Sequence, residues 1–444
     1  MKNILILGAG RSSSSLIRYL LQHAANEGWV VRVGDMDLKF AQKKISGHER
    51  GEAFQFDASD DIQRRKEIAE ADLVISMLPA TLHLEVVKDA ISAGRNVITP
   101  SYVADEMWPL DNEAKQKGVL ILNEMGVDPG IDHMSAMDII HSIEKKGGEL
   151  QSFESFTGGL IAPESDNNPW NYKVTWNPRN VVLAGAGGTA RFLHNGKLKF
   201  IPYHKLFEHT TEIEVPGYGK FDGYANRDSL KYRSIYGLEN IPTLYRGTLR
   251  KSGFCRAWNF LVQLGLTDDS FTIENSENKT WAELSSAFLP NSTGNNVEST
   301  FKKYLRPDDQ SLEKIKWLGI FDEKKLGLAD ATPATALQKL IEEKWKLDEG
   351  DKDMIVMWHR FVYLYEGKKH EQQSSLVVLG EDVVHTAMAN TVGLPIAVAA
   401  KMMLRGEMKL TGITLPTLPE IYNPVLGELK QMGISFSEQH RVLN

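Results

Sequence analysis

A glycine-rich turn near the N-terminus has the residue types that bind the pyrophosphate of a dinucleotide. An apolar run at 4–7 is followed by the sequence GAGRSS at 8–13, and apolar residues then recur at helical spacing. In such a strand–turn–helix unit the first glycine permits the tight turn and the second leaves room for the phosphates. Placed between a strand and a helix, the motif predicts a dinucleotide site, with a structural glycine turn as the alternative. The predicted cofactor-binding residues of this turn are Gly8, Gly10, Arg11, Ser12 and Ser13.

An acidic residue ends the second predicted strand, at 30–33. An acid at this point hydrogen-bonds the hydroxyls of the adenosine ribose, and its charge repels a 2′-phosphate. Asp35 therefore favours NAD over NADP. Asp37 is the other candidate for this role, and either residue can also be an ordinary loop acid.

These residues need a sheet to position them. The sequence predicts strands at 4–7, 30–33, 54–56, 73–78, 96–99 and 119–122, with helical segments between them. This alternation is typical of a Rossmann-type α/β fold with a doubly wound parallel sheet. Residues that follow the carboxyl ends of such strands line the cofactor crevice. They are Asp57, Leu78, Pro79, Ser101, Met125 and Val127.

Composition limits the class of protein. The chain has 444 residues, with 51 Lys and Arg against 58 Asp and Glu, a net charge of −7 that favours neither nucleic acid nor anionic membranes as a partner. The lone Cys255 forbids an intrachain disulfide and a Cys-cluster zinc site, and we predict no metal. No apolar run approaches the roughly 20 residues that span a bilayer. We expect a cytoplasmic protein of two or three domains.

Longer motifs extend through nearly the whole chain. They are Ser101-Tyr102, Asn123-Glu124, DPGIDH at 128–133, GGL at 158–160 with APE at 162–164, NRDS at 226–229, YRGTLR at 245–250 with GFC at 253–255, TVGLP at 391–395 and EIYNP at 420–424. In this order the motifs resemble those of the glutamate-forming saccharopine dehydrogenases, also called saccharopine reductases. That family joins the amine of glutamate to the aldehyde of 2-aminoadipate semialdehyde and reduces the imine with a nicotinamide hydride.

The resemblance implies a domain organisation. Residues 1–131 and 388–444 would form a discontinuous Rossmann domain. Residues 132–387 would form an α+β substrate-binding and dimerisation domain, with an all-helical insertion at about 278–350. A homodimer is the expected assembly, and a small amino-acid di- or tricarboxylate is the expected ligand.

Two positions depart from the family pattern. The usual cofactor of the family is NADP, and its second strand tends to end near a basic residue, whereas here GDMD stands at 34–37. We therefore expect NAD, with NADP as the alternative. The family often carries Cys before its Gly-Gly pair, where this chain has Thr157. If that thiol assists proton transfer in relatives, a hydroxyl replaces it here, or the role is absent.

Saccharopine has three carboxylates and a secondary amine, which calls for arginines with bidentate geometry. The segment 224–256 is locally basic within an acidic chain, although a solvated charged face is the ordinary reading of such a segment. The resemblance implies carboxylate binding by Arg227 and Arg250. It also implies backbone or hydroxyl contacts from Thr248 and Leu249.

The resemblance also supplies candidates for proton transfer. Asp128 can orient the amine or relay a proton, Tyr102 can donate one, and Ser101 can bind a carboxylate or the cofactor amide. The ordinary alternatives are an Asp-Pro turn for Asp128 and a packed aromatic for Tyr102. Asp132 is expected to cap the helix that begins near 133, with a catalytic role as the alternative. The division of roles among Asp128, Tyr102 and Thr157 stays open.

Two rival functions remain. A related imine reductase, such as a carboxynorspermidine dehydrogenase, acts on a cationic substrate, and its pocket would need carboxylates where this chain offers arginines. A non-catalytic dinucleotide-sensing protein would keep the glycine turn but would not need Tyr102, Asp128 or Arg227.

Overall fold

The computed structural model describes residues 1–443, and its first 150 residues alternate strands with helices. The strands are β1 (Lys2–Leu7), β2 (Trp29–Asp35), β3 (Gly51–Gln55), β4 (Leu73–Ser76), β5 (Asn96–Ile98) and β6 (Leu120–Leu122). The helices are α1 (Ser14–Glu27), α2 (Leu38–Ile45), α3 (Asp61–Ala69), α4 (His83–Ala93), α5 (Asp111–Gln116) and α6 (Ile131–Lys145). Both faces of β1 and β4 are buried, as expected for strands covered by helices on each side.

Local signals in the sequence set several helix ends. Helix α1 ends at Gly28 (φ 70°) and helix α4 at Gly94 (φ 69°), in a left-handed conformation that favours glycine. Helix α3 begins after Asp60, whose carboxylate accepts hydrogen bonds from the N–H groups of Ile62 and Gln63. These helices therefore begin and end where neighbouring residues dictate.

The middle of the chain is a mixture of strands and short helices. Its strands are β7 (Glu149–Ile161), β8 (Ala190–His194), β9 (Lys197–Ile201), β10 (Thr210–Val215), β11 (Gly219–Ala225), β12 (Thr243–Lys251), β13 (Asp353–Tyr365) and β14 (Lys368–Leu379). Its helices are α7 (Pro178–Val182), α8 (Tyr232–Ile235), α9 (Phe254–Leu264), α10 (Trp281–Ala287), α11 (Val297–Leu305), α12 (Asp309–Leu318) and α13 (Pro333–Lys344). The chain ends with α14 (Ala387–Arg405), β15 (Gly412–Thr414), α15 (Pro419–Gln431) and β16 (Ser437–Leu443).

The first sheet is parallel, with the strand order β15-β6-β5-β4-β1-β2-β3. The predicted doubly wound Rossmann-type fold is confirmed. The edge strand β15, which was not predicted from the sequence, pairs with β6 through Gly412↔Leu120 and Thr414↔Leu122. A strand of three residues carries no periodicity of its own, and its partner lies far away in the sequence.

The second sheet is mixed, with the order β10-β11-β12-β7-β13-β14-β16, and the hairpin β8–β9 joins it at β12. Strands β12 and β7 are parallel, whereas β11 and β12 are antiparallel. Helices α10 to α13 follow one another without an intervening strand between 281 and 344. This arrangement confirms the predicted α+β part of the chain with its all-helical insertion.

The chain divides into two compact units. The first comprises Met1–Leu150, Tyr363–Lys369 and Leu376–Glu438, and the second comprises Gln151–Val362, His370–Ser375 and Gln439–Asn444. The functional boundaries given above, at 131 and 388, stay a prediction, because compactness does not say which residues hold a ligand.

Helix α14 is a core element of the first unit. By length and composition it could cross a membrane, but 83% of the stretch concerned is buried inside the protein, as in the core helix of a globular unit. A proline inside a helix predicts a break, yet α14 runs through Pro395 without one. Its packing against α1 and α15 holds both halves in place.

The contact between α14 and α1 depends on Gly393. A Cβ at this position would lie 2.8 Å from the backbone nitrogen of Leu16. We expect Gly393→Ala to lower the free energy of unfolding by about 1–3 kcal/mol, because backbone atoms cannot move aside as a flexible side chain can. Urea or thermal unfolding measures the change.

Gly427 in α15 provides the matched control, since a Cβ there would meet no atom within 4 Å. Gly427→Ala should leave stability unchanged or raise it by about 0.5–1 kcal/mol. Equal effects of the two substitutions would show that α14 does not need the close approach.

Candidate functional site

The glycine turn that follows β1 touches the ends of two neighbouring strands. Gly8 has φ +100°, and its N–H donates to the carbonyl of Gly34 at 2.8 Å. A Cβ at Gly8 would lie 2.9 Å from the carbonyl oxygen of Met77. Both the backbone angle and this close approach require glycine.

Gly10 differs from Gly8 in what it leaves open. Its φ of −62° suits any residue, and a Cβ there would meet no protein atom within 4 Å. Protein packing therefore does not require a glycine at this position, and its missing side chain leaves free space beside the start of α1. This is the space that a pyrophosphate needs, so the turn fits the predicted dinucleotide.

The residues after Gly10 close the turn. Ser13 is buried, and its hydroxyl donates to the Gly10 carbonyl at 2.9 Å. Ser12 is half-buried and Arg11 is exposed. A small residue at 13 thus packs inside the turn, while Arg11 stays available at the surface.

The two acids after β2 have different partners. Asp35 accepts hydrogen bonds from the N–H of Ala9 in the glycine turn at 2.7 Å and from the N–H of Asp37 at 2.9 Å. Asp37 caps α2 by accepting from the N–H of Lys39. Asp35 is therefore the acid held against the turn, and this geometry favours it over Asp37 for ribose binding.

Other residues predicted to line the cofactor crevice occupy varied environments. Asp57 is exposed, and hydrogen bonds from the hydroxyl and N–H of Ser59 lower the pKa of its carboxyl. Leu78 is half-buried and Pro79 exposed. Met125 and Val127 are buried, so their side chains offer little surface to a ligand. Cofactor contact at these positions stays a prediction.

Tyr102 and Asp128 lie together in the loops after β5 and β6. The tyrosine hydroxyl donates to Oδ1 of Asp128 at 3.1 Å. Tyr102 is 46% exposed and Asp128 is half-buried, so solvent or a ligand can reach both. A phenol bonded to a carboxylate can hold, accept or pass on a proton.

A buried cluster of polar residues supports both loops. Glu124 accepts from the N–H of Val103 at 3.1 Å, and its other oxygen lies 2.7 Å from Nε2 of His133. Asp132 accepts from the N–H of Gly130 at 2.6 Å. The expectation that Asp132 caps the helix is wrong, because α6 begins at 131 and Gly130 occupies the cap position. Asp132 lies in the first turn and ties down the loop instead.

His83, the first residue of α4, was not among the residues predicted from the sequence. Its Nδ1 lies 2.8 Å from the hydroxyl of Ser76, and its Nε2 lies 2.8 Å from the hydroxyl of Ser101. Burial lowers the pKa of the imidazole to about 4. Its spacing on the helix places it on the same buried face as Val86, Val87 and Ala90, and a histidine on that apolar face was the available signal.

In the second unit, Thr157 and Thr248 are paired across β7 and β12. The Thr157 hydroxyl is buried and has no hydrogen-bond partner among residues 1–443. Thr248 donates to the side-chain oxygen of Asn226 at 3.2 Å. Thr157 therefore offers a buried hydroxyl whose hydrogen-bonding capacity is unused.

Arg227 lies at an open cavity of about 670 Å³ in the second unit. The residues that line this cavity are Gly187, Gly188, Thr189, Arg191, Phe200, Pro202, Arg227 and Asp228. Arg191 is neutralised by an ion pair with Asp228, whereas Arg227 is exposed, with no salt bridge within the part of the chain that the structure describes. Arg227 is thus the cation of this cavity that an anionic ligand can engage.

Arg250 has a different environment. The residue is 3% exposed, and its guanidinium lies within 6 Å of the rings of Tyr172, Tyr224 and Phe254. One of its nitrogens donates to the carbonyl of the fully buried Leu249 at 2.9 Å. These contacts favour a packing role over an open carboxylate site. Substrate contact by either residue stays a prediction.

Cys255, like Arg250, is enclosed by other residues. It is buried, and burial raises the pKa of its thiol well above the usual value. A thiol in this environment stays protonated and is a packed side chain.

Comparison with known proteins agrees with this arrangement. The model of the saccharopine dehydrogenase NADP binding domain matches residues 4–122, and that of the saccharopine dehydrogenase C-terminal domain matches residues 126–434. The chain belongs to the saccharopine dehydrogenase family. It is accordingly an oxidoreductase with a dinucleotide-binding domain.

Relatives of this family match along the full chain. A saccharopine dehydrogenase [NADP(+), L-glutamate-forming] from Schizosaccharomyces pombe is 34% identical over 99% of both chains. The mitochondrial alpha-aminoadipic semialdehyde synthase of Bos taurus is 35% identical over 99% of this chain and 48% of its own length. The structure of apo saccharopine dehydrogenase (L-Glu forming) from Saccharomyces cerevisiae superposes with a TM-score of 0.90, at 32% identity, over 99% of this chain and 100% of that one.

The glycine turn of this family member allows a direct test of the dinucleotide site. Gly10→Ala should raise the dissociation constant for the dinucleotide at least about tenfold, because the methyl group enters the space that the phosphates need. Its unfolding free energy should stay within about 1 kcal/mol of the wild-type value, since the φ angle suits alanine. Fluorescence titration and urea unfolding measure the two quantities.

Gly8→Ala is the contrasting control. It should lower the free energy of unfolding, because Gly8 has a φ of +100° and a Cβ there would meet the Met77 carbonyl. Unchanged dinucleotide affinity in Gly10→Ala would place the pyrophosphate elsewhere.

His83 predicts a pH dependence of stability. An unfolded histidine takes up a proton below about pH 6.5, whereas folded His83 stays neutral down to about pH 4. The unfolded state therefore binds more protons between these values, and stability falls as the pH falls through them, by on the order of 3 kcal/mol. His83→Phe should remove this part of the slope. Parallel pH profiles of the urea midpoint for wild type and variant would contradict the assignment.

Proposed function

We propose that the chain interconverts saccharopine with L-glutamate and 2-aminoadipate 6-semialdehyde, with NAD as the hydride carrier. The observation that carries this proposal is the Tyr102–Asp128 hydrogen bond at the carboxyl edge of the Rossmann sheet. It occurs in a chain that matches a glutamate-forming relative from end to end. A non-catalytic sensor has no need of such a pair.

The reaction requires several proton transfers. Oxidation removes a hydride from the carbon beside the amine and a proton from the nitrogen, which leaves an imine. Water adds across the imine to give a carbinolamine, and cleavage of its C–N bond releases glutamate and the aldehyde. A nicotinamide, when bound, would supply the hydride acceptor for this oxidation.

The chain's own residues would handle the protons. The Asp128 carboxylate accepts the amine proton, and the Tyr102 hydroxyl orients that carboxylate and donates its own proton as the leaving amine forms. The buried hydroxyl of Thr157 has an unused donor and acceptor that could serve the carbinolamine oxygen. The Thr157→Ala variant should then have a lower kcat. The pairing of β7 with β12, and with it the free energy of unfolding, should stay unchanged.

Arg227 is the proposed carboxylate ligand, because it is exposed at the cavity of the second unit and, unlike Arg191, has no salt bridge among residues 1–443. We expect Arg227→Ala to raise the KM for saccharopine by roughly tenfold to a hundredfold, as is usual when a charged hydrogen bond to a ligand is lost. Steady-state kinetics at saturating NAD measures the change.

Arg256 is the matched control for this test. It is 72% exposed and pairs with Asp308 on the surface of α9. Arg256→Ala should leave the KM unchanged. If both variants behave alike, Arg227 does not bind the substrate.

Asp35 underlies the proposed preference for NAD. The relative from Schizosaccharomyces pombe is named for NADP(+), so the acid beside the glycine turn predicts a difference between this chain and that relative. Asp35→Ser should raise the kcat/KM ratio of NADP to NAD by about tenfold or more, since the repulsion of a 2′-phosphate is removed.

Asp37→Ser serves as the control, because serine can also cap α2, so this variant should change neither the stability nor the choice of cofactor. A wild-type protein that used NADP far faster than NAD would overturn the role given to Asp35.

The function itself is tested with purified protein, saccharopine and either NAD or NADP, followed by nicotinamide absorbance. Reduction of NAD with release of glutamate is the expected result. No reduction of either cofactor would refute the proposed activity. A homodimer stays a prediction, which light scattering of the same sample tests.

A further inference from the structure

Three residues at the carboxyl edge of the parallel sheet form a hydrogen-bonded chain. Ser76 ends β4, His83 begins α4, and Ser101 follows β5. Nδ1 of the imidazole lies 2.8 Å from the Ser76 hydroxyl, and Nε2 lies 2.8 Å from the Ser101 hydroxyl. Ser76 and His83 are buried, whereas Ser101 is half-buried and so within reach of a ligand.

The imidazole is neutral at the pH of ordinary assays, because burial lowers its pKa to about 4. A neutral imidazole has one N–H donor and one acceptor nitrogen. One serine must therefore donate to the ring, and the other must accept from it. The tautomer of His83 decides which serine does which.

Ser76 determines the tautomer. Its hydroxyl is buried, and Nδ1 of His83 is its only hydrogen-bond partner among residues 1–443. The proton of a buried hydroxyl needs an acceptor, so Ser76 donates to Nδ1. The imidazole proton then resides on Nε2.

Thr99 does not change this assignment. Its hydroxyl lies 3.5 Å from Nδ1 and 3.3 Å from Nε2, farther than either serine. It also accepts a hydrogen bond from the N–H of Ser101 at 3.3 Å. The shorter contacts to Ser76 and Ser101 therefore define the roles of the two ring nitrogens.

It follows that Nε2–H donates to the oxygen of Ser101, whose own proton has no acceptor in the part of the chain that the structure describes. We infer that Ser76 and His83 hold Ser101 as a hydrogen-bond donor that points at an oxygen atom of the bound ligand. His83 is thus a positioning residue. The identity of this oxygen rests on the proposed function. Under that function, the oxygen belongs to the nicotinamide carboxamide or to a substrate carboxylate.

A set of variants tests the positioning role. Ser101→Ala removes the donor, His83→Phe removes both ring nitrogens, and His83→Gln keeps an N–H group on a side chain of similar reach. We expect the first two to weaken the same binding parameter about tenfold, and His83→Gln to stay within about threefold of wild type. The double variant His83→Phe/Ser101→Ala should bind no more weakly than the single variant with the larger loss of binding, because the two residues act as one unit.

The two possible sources of the ligand oxygen are distinguished by which binding parameter the variants weaken. A raised dissociation constant for NAD, by titration of protein fluorescence, identifies the carboxamide oxygen. A raised KM for saccharopine at unchanged NAD affinity identifies a substrate carboxylate. The inference is overturned if Ser101→Ala changes neither parameter, or if the losses of the two single variants multiply in the double variant.

The tautomer can be read without any enzymatic activity. Nitrogen NMR of protein labelled in its 12 histidines, with His83→Phe to assign the signal, distinguishes Nε2–H from Nδ1–H. The Nε2–H form is expected, and the Nδ1–H form would overturn the inference. If wild-type protein oxidises no saccharopine, the proposed function fails while this result still decides the donor role of Ser101.

Discussion

The close approach of the Gly8 backbone to the carbonyl of Met77 is the constraint on which the nucleotide-binding half of the molecule depends. At this point the chain leaves β1, turns beside the ends of β2 and β4, and enters α1. A side chain here would separate the strands from the helix that follows. The same turn brings the N–H of Ala9 to the Asp35 carboxylate, so the fold of the turn also sets where the acid lies.

The loops at the edge of this sheet owe their positions to buried polar groups. Glu124 and Asp132 hold backbone N–H groups next to Tyr102 and Asp128, and His83 joins the loops after β4 and β5. Buried polar groups that are fully bonded rigidify their surroundings, because each lost bond would leave a desolvated group. The exposed Tyr102 and the half-buried Asp128 thus stand on a rigid support.

Burial also determines which charged groups of the second unit are available to a ligand. The chain is acidic overall, with a net charge of −7, but its arginines between 224 and 256 lie in contrasting environments. Aromatic rings enclose Arg250 and face the guanidinium of Arg246, whereas Arg227 is exposed at a cavity. A local surplus of positive charge therefore does not tell which arginine meets a ligand, because burial decides whether the charge is available.

Much of the fold and part of the site followed from the sequence alone. The apolar strands, the glycine turn, Asp35 after β2 and the helix ends at Gly28 and Gly94 are properties of neighbouring residues, set by backbone angles and periodicity. The tertiary structure alone decided four other features: the pairing of β15 with β6, the bridge made by His83, the place of Asp132 inside α6 and the enclosure of Arg250. Each of these depends on which distant segments meet and which polar groups lose water. Local sequence does not encode that information, because burial and pairing are properties of the packed chain.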